Sequence, residues 1–392
     1  MATTADAVVV GGGVVGASAL FHLCALGLDR VILCERRQPG AGATGQSGAF
    51  IQYHFCQNAA EARLTTASMP YFQRWDELVG AGSCGFVPAG YLRLEPPERE
   101  GGLRARVAML REVGVASSVV GPDDVARLAP YLRTDGAAVA AYEPGSGYAD
   151  ATGTVAGFLA AAGRRGGEVW AETTVTGVRA GGGTVRGVET SAGPIDAPVV
   201  VLAAGAWSPP LLRGLGLDAP LSVALTQCAI FARPAACPVP AMTVGDGVSL
   251  SYFRAAGPDA GRILVGLGGA ARRPAGDLEG DFGTVPAEVV AAAGERLAAR
   301  LMGAEGARPL GGTVGPITVT PDDLPIIDRH PDLGGLTFFA GDCGSSFKTG
   351  PAIGRALAEW AVRGRQEVAD LAAFRLGRFA ADGRGGAPGK PA

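Results

Sequence analysis

Gly11, Gly13 and Gly16 form the pattern G-x-G-x-x-G directly after the apolar run Ala7-Val8-Val9-Val10. A turn without side chains lets the backbone approach a pyrophosphate. The helix that follows, entered through Val14 and Val15, offers N–H groups and the positive end of its dipole to the phosphates. Glu35 closes a second apolar run, Val31-Ile32-Leu33-Cys34, at about 20 residues' distance. A carboxylate there accepts hydrogen bonds from a ribose 2′-hydroxyl and repels a 2′-phosphate. The chemistry is dinucleotide binding, and the turn alone admits NAD or FAD.

Other reactive side chains are sparse, which makes the few present informative. Lys348 and Lys390 are the only lysines among 34 basic residues. A cation at the start of a helix is mildly unfavourable unless it has another task, so Lys348 is expected to be functional. His54 is a candidate base or polar contact. Tyr252 and Arg254 flank Phe253 on one strand and share a face, turned either to the cofactor or to solvent. His22 falls inside a helix and is expected to be structural. Seven scattered cysteines without a C-x-x-C pair, with three histidines, encode neither a disulfide framework nor a zinc site.

The elements that must position these groups follow from periodicity. The start is β-α-β, with a helix over Ala17 to Leu26 between the two apolar runs, and its order implies parallel strands. Glu61 to Leu78 is expected to be one helix, with Leu64, Ala67, Tyr71, Trp75 and Leu78 on one face. Glu168 to Val178 is expected to be one strand. Val199 to Leu202 and Leu336 to Ala340 are further buried strands, and Pro351 to Val362 a final helix. Alternating strands around Gly and Pro fill about 220 to 317.

Composition sets the bounds. The 392 residues are 47% hydrophobic and 18% charged, enough apolar content for a large core and against disorder. A net charge of −3 without long charge runs points away from nucleic acid and acidic membranes and toward a small partner. No secretory leader or membrane span is legible, so a soluble, reduced, cytoplasmic setting is expected.

Four stretches decide between the dinucleotides. Cys34-Glu35-Arg36 followed by Gly40 to Gly48, then Gly145-Ser146-Gly147-Tyr148-Ala149-Asp150, then Val199 to Ser208 ending Ala204-Gly205-Ala206-Trp207-Ser208, resemble elements of the glycine/D-amino-acid oxidase-like, sarcosine oxidase-like flavoproteins. Thr320-Pro321-Asp322, Phe339-Ala340-Gly341-Asp342-Cys343-Gly344-Ser345-Ser346-Phe347-Lys348 and Pro351-Ala352-Ile353-Gly354 resemble that family's T-P-D…G-x-x-G-x-G-F-K…P-x-x-G signature. The resemblance spans about residues 7 to 375 and is weakest in the substrate lobe.

It implies an α/β fold: a discontinuous Rossmann-type FAD domain (1–86, 145–218 and 318–380) and a mixed-sheet substrate domain (87–144 and 219–317); the Gly/Pro-rich composition of the last residues separately predicts a disordered tail (381–392). It also implies an amine or amino-acid oxidase or dehydrogenase. The C–N bond of a small amine is oxidised to an imine by hydride transfer to flavin N5, and O2 or an electron carrier takes the electrons. Besides the glycines and Glu35, it places Val14, Val15, Arg36, Gly42, Ala43, Thr44, Gln46, Ser47, Val175, Ala204, Gly205, Trp207, Gly341, Gly344, Ser345, Ser346, Phe347 and Lys348 at the cofactor. The N–H groups of Gly344 to Phe347 and the final helix are expected to face the flavin edge where negative charge develops.

Three departures qualify this. Where several relatives carry a carboxylate-binding arginine, this chain has Gln52, so the substrate either lacks a free α-carboxylate or is held elsewhere, by Lys348 or Arg254. Gly315-Pro316-Ile317-Thr318 has no nucleophile where covalent relatives attach flavin, so dissociable FAD is expected. The family's loop histidine is Ser345. An FAD monooxygenase, or a flavoprotein subunit without catalytic duty, are the alternative readings.

Overall fold

The structure, a computed structural model, describes residues 3–379 except 258, 269–272, 277, 279 and 281. The expected disordered tail lies outside the described residues. A six-stranded sheet runs in the order Ile326–Arg329, Leu336–Ala340, Val200–Leu202, Ala7–Val10, Val31–Cys34, Gly167–Trp170. Every pairing is parallel except that of the first-named edge strand.

Alternation along each strand divides its side chains between two cores. Ala7, Val9, Val31 and Leu33 face the helices Val14–Ala25, Ala151–Gly163 and Gly350–Arg363. Val8, Val10, Ile32 and Cys34 pack on the opposite side with Val175, Val185, Val188 and Ile195 of a second, four-stranded sheet. Burial on both faces explains why these strands are continuous apolar runs.

The chain leaves Ala7–Val10 toward Val31–Cys34 on one side, while Val200–Leu202 lies on the other. The end of the first strand is therefore a topological switch point, and the glycine turn sits in its crevice.

A nine-stranded mixed sheet roofs this unit. Its middle order is Ser222–Ala232, Arg262–Leu267, Ser251–Ala256, Thr243–Asp246, Tyr91–Glu95, Val139–Glu143, and the long strand Arg308–Val319 pairs with Ser222–Ala232. The helix Ala287–Arg300 covers a core built on Leu92, Leu94, Val244, Phe253 and Val265. No helix among the described residues is long and apolar enough to cross a membrane.

Two expected elements divide. The helix expected over Glu61 to Leu78 is Ala59–Gln73 followed by one turn, Trp75–Leu78, with a break at Arg74 (φ −130°) after Pro70, which has no N–H to donate. The strand expected over Glu168 to Val178 is two strands, Gly167–Trp170 in the parallel sheet and Val175–Gly181 in the four-stranded one. The chain turns between them at Glu172 (φ 55°), where Glu172 and Thr173 N–H donate to the Arg37 and Glu35 carbonyls.

Candidate functional site

The glycine turn is a close fit to its surroundings. Gly11 has φ +103°, and a Cβ there would stand 2.4 Å from the Ala203 carbonyl oxygen. A Cβ on Gly16 would meet the Gly11 carbonyl oxygen at 1.9 Å, so the helix start packs directly on the turn. Glu35 is fixed by two backbone donors: Gly12 N–H to Oε2 at 2.7 Å and Arg37 N–H to Oε1 at 2.9 Å. Thr44 Oγ1 accepts from Val14 N–H at 3.1 Å and ties the following loop to the helix start.

These groups line a cavity of about 480 Å³. Gly11, Gly13, Val14, Val15, Glu35, Arg36, Gly42, Ala43, Thr44, Gln46, Ser47, Val175, Ala204, Gly205, Trp207, Gly344, Ser346 and Phe347 are brought together on its walls. The Arg36 guanidinium lies 4.5 Å over the Trp207 ring, and the buried Trp207 Nε1–H has no hydrogen-bond partner among the described residues. A long cavity with glycine backbone, an anchored acid and an unspent indole donor fits a dinucleotide with an aromatic head. Gly16 and Gly341 stay off the wall: Gly16 packs on Gly11, and a Cβ on Gly341 (φ +69°) would meet Thr320 at 2.6 Å.

The closing loop is braced by Asp342. Its carboxylate accepts from Thr318 N–H and Oγ1–H, both at 2.9 Å, and from Gly344 N–H at 2.9 Å, while Ser345 N–H donates to the Asp342 carbonyl at 3.0 Å. This corrects the expectation for the loop, since Gly344 and Ser345 spend their N–H groups inside it and only Ser346 and Phe347 of the four remain for a ligand.

A second cavity, of about 310 Å³, continues from the first across Ser47, Thr226, Tyr252, Ile317, Gly344 and Phe347, which line both. Its walls carry Phe50, Phe55, Leu250 and Leu267 with the polar groups Gln52, Arg93, Ser345 and Lys348. Tyr252 stands edge-on to Phe50, its ring 5.3 Å away, and packs so closely over Gly266 that a Cβ there would be 1.9 Å from Tyr252 Cζ. Gln52 lines this cavity, and its Oε1 accepts from Phe55 N–H at 3.0 Å.

Lys348 is 2% exposed; its Nζ lies 3.7 Å from Glu61 Oε1 and has no hydrogen-bond partner among the described residues. Glu61 is held by the helix start it serves: Asn58 Oδ1 caps Glu61 N–H, and Glu61 Oε2 accepts from Gln57 N–H at 2.7 Å. Burial pushes the nearby Glu143 carboxyl up to about 7, against the pull of Tyr53 N–H, the Ser146 hydroxyl and the Lys348 charge.

Two expected site residues lie elsewhere. Arg254 lines neither cavity: its Nε–H donates to the Gly48 carbonyl at 2.7 Å, Nη1–H donates to the Ala255 carbonyl at 2.8 Å, and the guanidinium stacks 4.5 Å over Tyr148. It braces the loop instead. His54 also lies behind the wall, where burial, with Arg93 and Arg106 beside it, holds its pKa well below 6.5 and keeps it neutral. His22, as expected, is packed between the Phe21 and Tyr71 rings, and burial lowers its pKa to about 3.

Arg93 and Glu61 were missed. The one visible signal was a charge inside the apolar strand Tyr91-Leu92-Arg93-Leu94; Glu61 looks like any acid in a first helical turn.

Residues 6–360 match the family described as DAO, FAD dependent oxidoreductase. The chain is 27% identical over 389 residues to the mitochondrial sarcosine dehydrogenase of Homo sapiens, covering 96% of this chain and 42% of that protein. It is 27% identical over 395 residues to the sarcosine oxidase subunit beta of Rhizobium meliloti (strain 1021), covering 95% and 88%. It thus spans less than half of the human relative's length. L-proline dehydrogenase from P. horikoshii superposes with a TM-score of 0.86 at 22% identity, over 97% of this chain and 99% of that one, a likeness of fold. The family match runs through the turn, both cavities and the closing loop, and this chain belongs to the DAO family of FAD-dependent oxidoreductases.

Proposed function

We propose that this chain oxidises the C–N bond of a primary or secondary amine or amino acid to an imine, with FAD held non-covalently and O2 or an electron carrier as final acceptor. The observation that carries this reading is the junction of the two cavities. One is built for a dinucleotide; the other is small, mostly apolar and armed with the Lys348 ammonium. FAD, when bound, supplies the hydride acceptor.

The chain's own residues do the rest. The turn Gly11 to Gly16 holds the pyrophosphate and Glu35 the ribose. Ser346 and Phe347 N–H, with the N-terminal end of the helix Gly350–Arg363, would stabilise negative charge on the bound cofactor beside the shared wall. Phe50, Phe55, Leu250 and Leu267 exclude water, and burial among them favours the neutral form of an amine, the form that can give up a hydride. Lys348 attracts an anionic part of the substrate. Residues 1–86, 145–218 and 318–380 serve as the cofactor domain, and 87–144 and 219–317 as the substrate domain.

Anaerobic mixing of the purified yellow protein with primary amines, N-methyl amino acids, cyclic imino acids and carboxylate-blocked analogues tests this. Loss of the oxidised-flavin absorbance with one class is expected. Reduction by NADPH alone would replace the proposal with a monooxygenase. Silence to both, with a partner that copurifies, would make the chain a subunit without this chemistry.

A further inference from the structure

We propose that Gly266 selects among substrates by acting through Tyr252: the bare position lets the tyrosine ring lie flat as a wall where the two cavities join, and an apolar substituent of the substrate packs on that wall. The inference deepens the proposed amine oxidation and rests on it for the substrate, but the wall is testable by binding alone.

Alternation along three neighbouring strands sets the face. Ala229 and Phe231 of Ser222–Ala232, Val265 of Arg262–Leu267 and Phe253 of Ser251–Ala256 belong to the core that the helix Ala287–Arg300 covers. Cys228, Gly266 and Tyr252 therefore stand on the opposite face, the one that closes the cavities. The register puts them in one row across the sheet, Cys228 opposite Gly266 and Gly266 opposite Tyr252.

The middle of that row has no side chain. In the next row, Ile230, Leu264 and Arg254, the same strand carries a leucine. The trough left at Gly266 is filled by the tyrosine: a Cβ there would stand 1.9 Å from Tyr252 Cζ and 2.2 Å from its hydroxyl oxygen. The phenol thus reaches across the middle strand, with its oxygen 3.5 Å from Cys228 Sγ. Phe50 stands edge-on to the ring at 5.3 Å, from the side of the cofactor loop. Seated on Gly266, ended at Cys228 and backed by Phe50, the ring is held as a plate.

The plate lies where selection can act, since Tyr252 lines both cavities. With Phe50, Phe55, Leu250 and Leu267 it completes an apolar lining. A methyl group at position 266 has no room beneath the ring, and the sheet blocks the other side, so the ring must lift toward the cavities. A lifted ring takes the space of a large substituent and spares a small one. Discrimination is then by the size of the apolar part, whatever charge the rest of the substrate carries.

The test uses the FAD-loaded protein and two amino acids with no hydrogen on the carbon that bears the nitrogen, which therefore cannot give up a hydride. One is 2-aminoisobutyrate, with methyl groups only; the other is α-methylphenylalanine, which adds a phenyl ring. Both are titrated by flavin difference spectra. The wild type is expected to bind α-methylphenylalanine at least about 10-fold tighter, through burial of its ring. Gly266→Ala, with FAD content retained, should lower that ratio at least about 10-fold by weakening the larger ligand alone. Tyr252→Ala should lower it at least about 5-fold, and adding Gly266→Ala to that variant should change the ratio no further. A merely structural role for Gly266 gives the same loss with or without the tyrosine, and that outcome overturns the proposal. Should Gly266→Ala fail to hold FAD, Tyr252→Ala decides, because a wild-type ratio in it overturns the proposal. A wild type that does not prefer the larger ligand overturns it as well. The expected pattern in a protein whose flavin no amine reduces overturns the oxidation reading and leaves the wall standing.

Discussion

Lys348 and Glu143 face the same buried region with opposite consequences for the molecule. Lys348 has no hydrogen-bonded anion among the described residues, with Glu61 Oε1 at 3.7 Å, so its value lies in what it binds. Lys348→Met should leave FAD content unchanged and lower kcat/KM by about 10- to 100-fold, the equivalent of about 1.5 to 3 kcal/mol for a contact to a charged group. Steady-state kinetics with a substrate that bleaches the flavin checks this, and normal turnover would remove Lys348 from the site. Glu143 is instead a burden at high pH. Burial raises its carboxyl from the ordinary 4.5 to about 7, so between those values the folded chain holds a proton that the unfolded chain has released. Stability therefore falls as pH rises through the window, and the loss is complete above the folded value. Glu143→Gln keeps an acceptor for Tyr53 N–H and the Ser146 hydroxyl and removes the titration. Relative to wild type it should gain on the order of 2 to 3 kcal/mol between pH 5 and pH 8 in denaturant titrations. Parallel curves for the two proteins would contradict this.

Elements set the precision of the site through a few tight approaches. The first strand, the turn and the helix start depend on Gly11 having no Cβ, since its φ is positive and the Ala203 carbonyl stands where the methyl would go. Gly11→Ala should lose FAD on purification and be less stable by about 2 to 4 kcal/mol, a strained φ and a backbone clash together. The ratio of flavin to protein absorbance and the thermal midpoint report both effects, and a yellow Gly11→Ala protein of wild-type stability would show the turn to be looser. The helix Ala59–Gln73 has a similar role for the second cavity. Its capping pattern pins Glu61 from two sides, so the acid behind Lys348 is positioned by helix-start chemistry.

At the scale of the molecule, the two cavities lie between the six-stranded and nine-stranded sheets, and ligand binding there should couple to the stability of the whole. FAD is expected to be released by acid precipitation, leaving a colourless pellet, because Gly315-Pro316-Ile317-Thr318 offers no thiol or imidazole. The apoprotein should melt several degrees lower, and its midpoint should rise with added FAD, by about 2.7 kcal/mol of stabilisation at 100 times Kd. Colour retained in the pellet would mean a covalent link from another residue.

What the sequence determined by itself is what depends on near neighbours. The spacing of Gly11, Gly13, Gly16 and Glu35 and the apolar runs Ala7–Val10 and Val31–Cys34 dictate a parallel dinucleotide-binding unit, because strand alternation and a side-chain-free turn are local properties. The order of Thr320-Pro321-Asp322 and Gly341 to Lys348 carried the family in the same way. Only the tertiary structure decided which charges meet. Arg254 and Arg93 both sit on strands of one sheet, yet Arg254 turns to the Gly48 carbonyl and Arg93 to Glu95 on the wall of the second cavity. Residues 93 and 348 line one cavity although they are far apart in the chain, and His54 is neutral because tertiary packing buries it beside two arginines. Burial, direction and pairing arise from contacts far apart in the chain, and no local pattern encodes them.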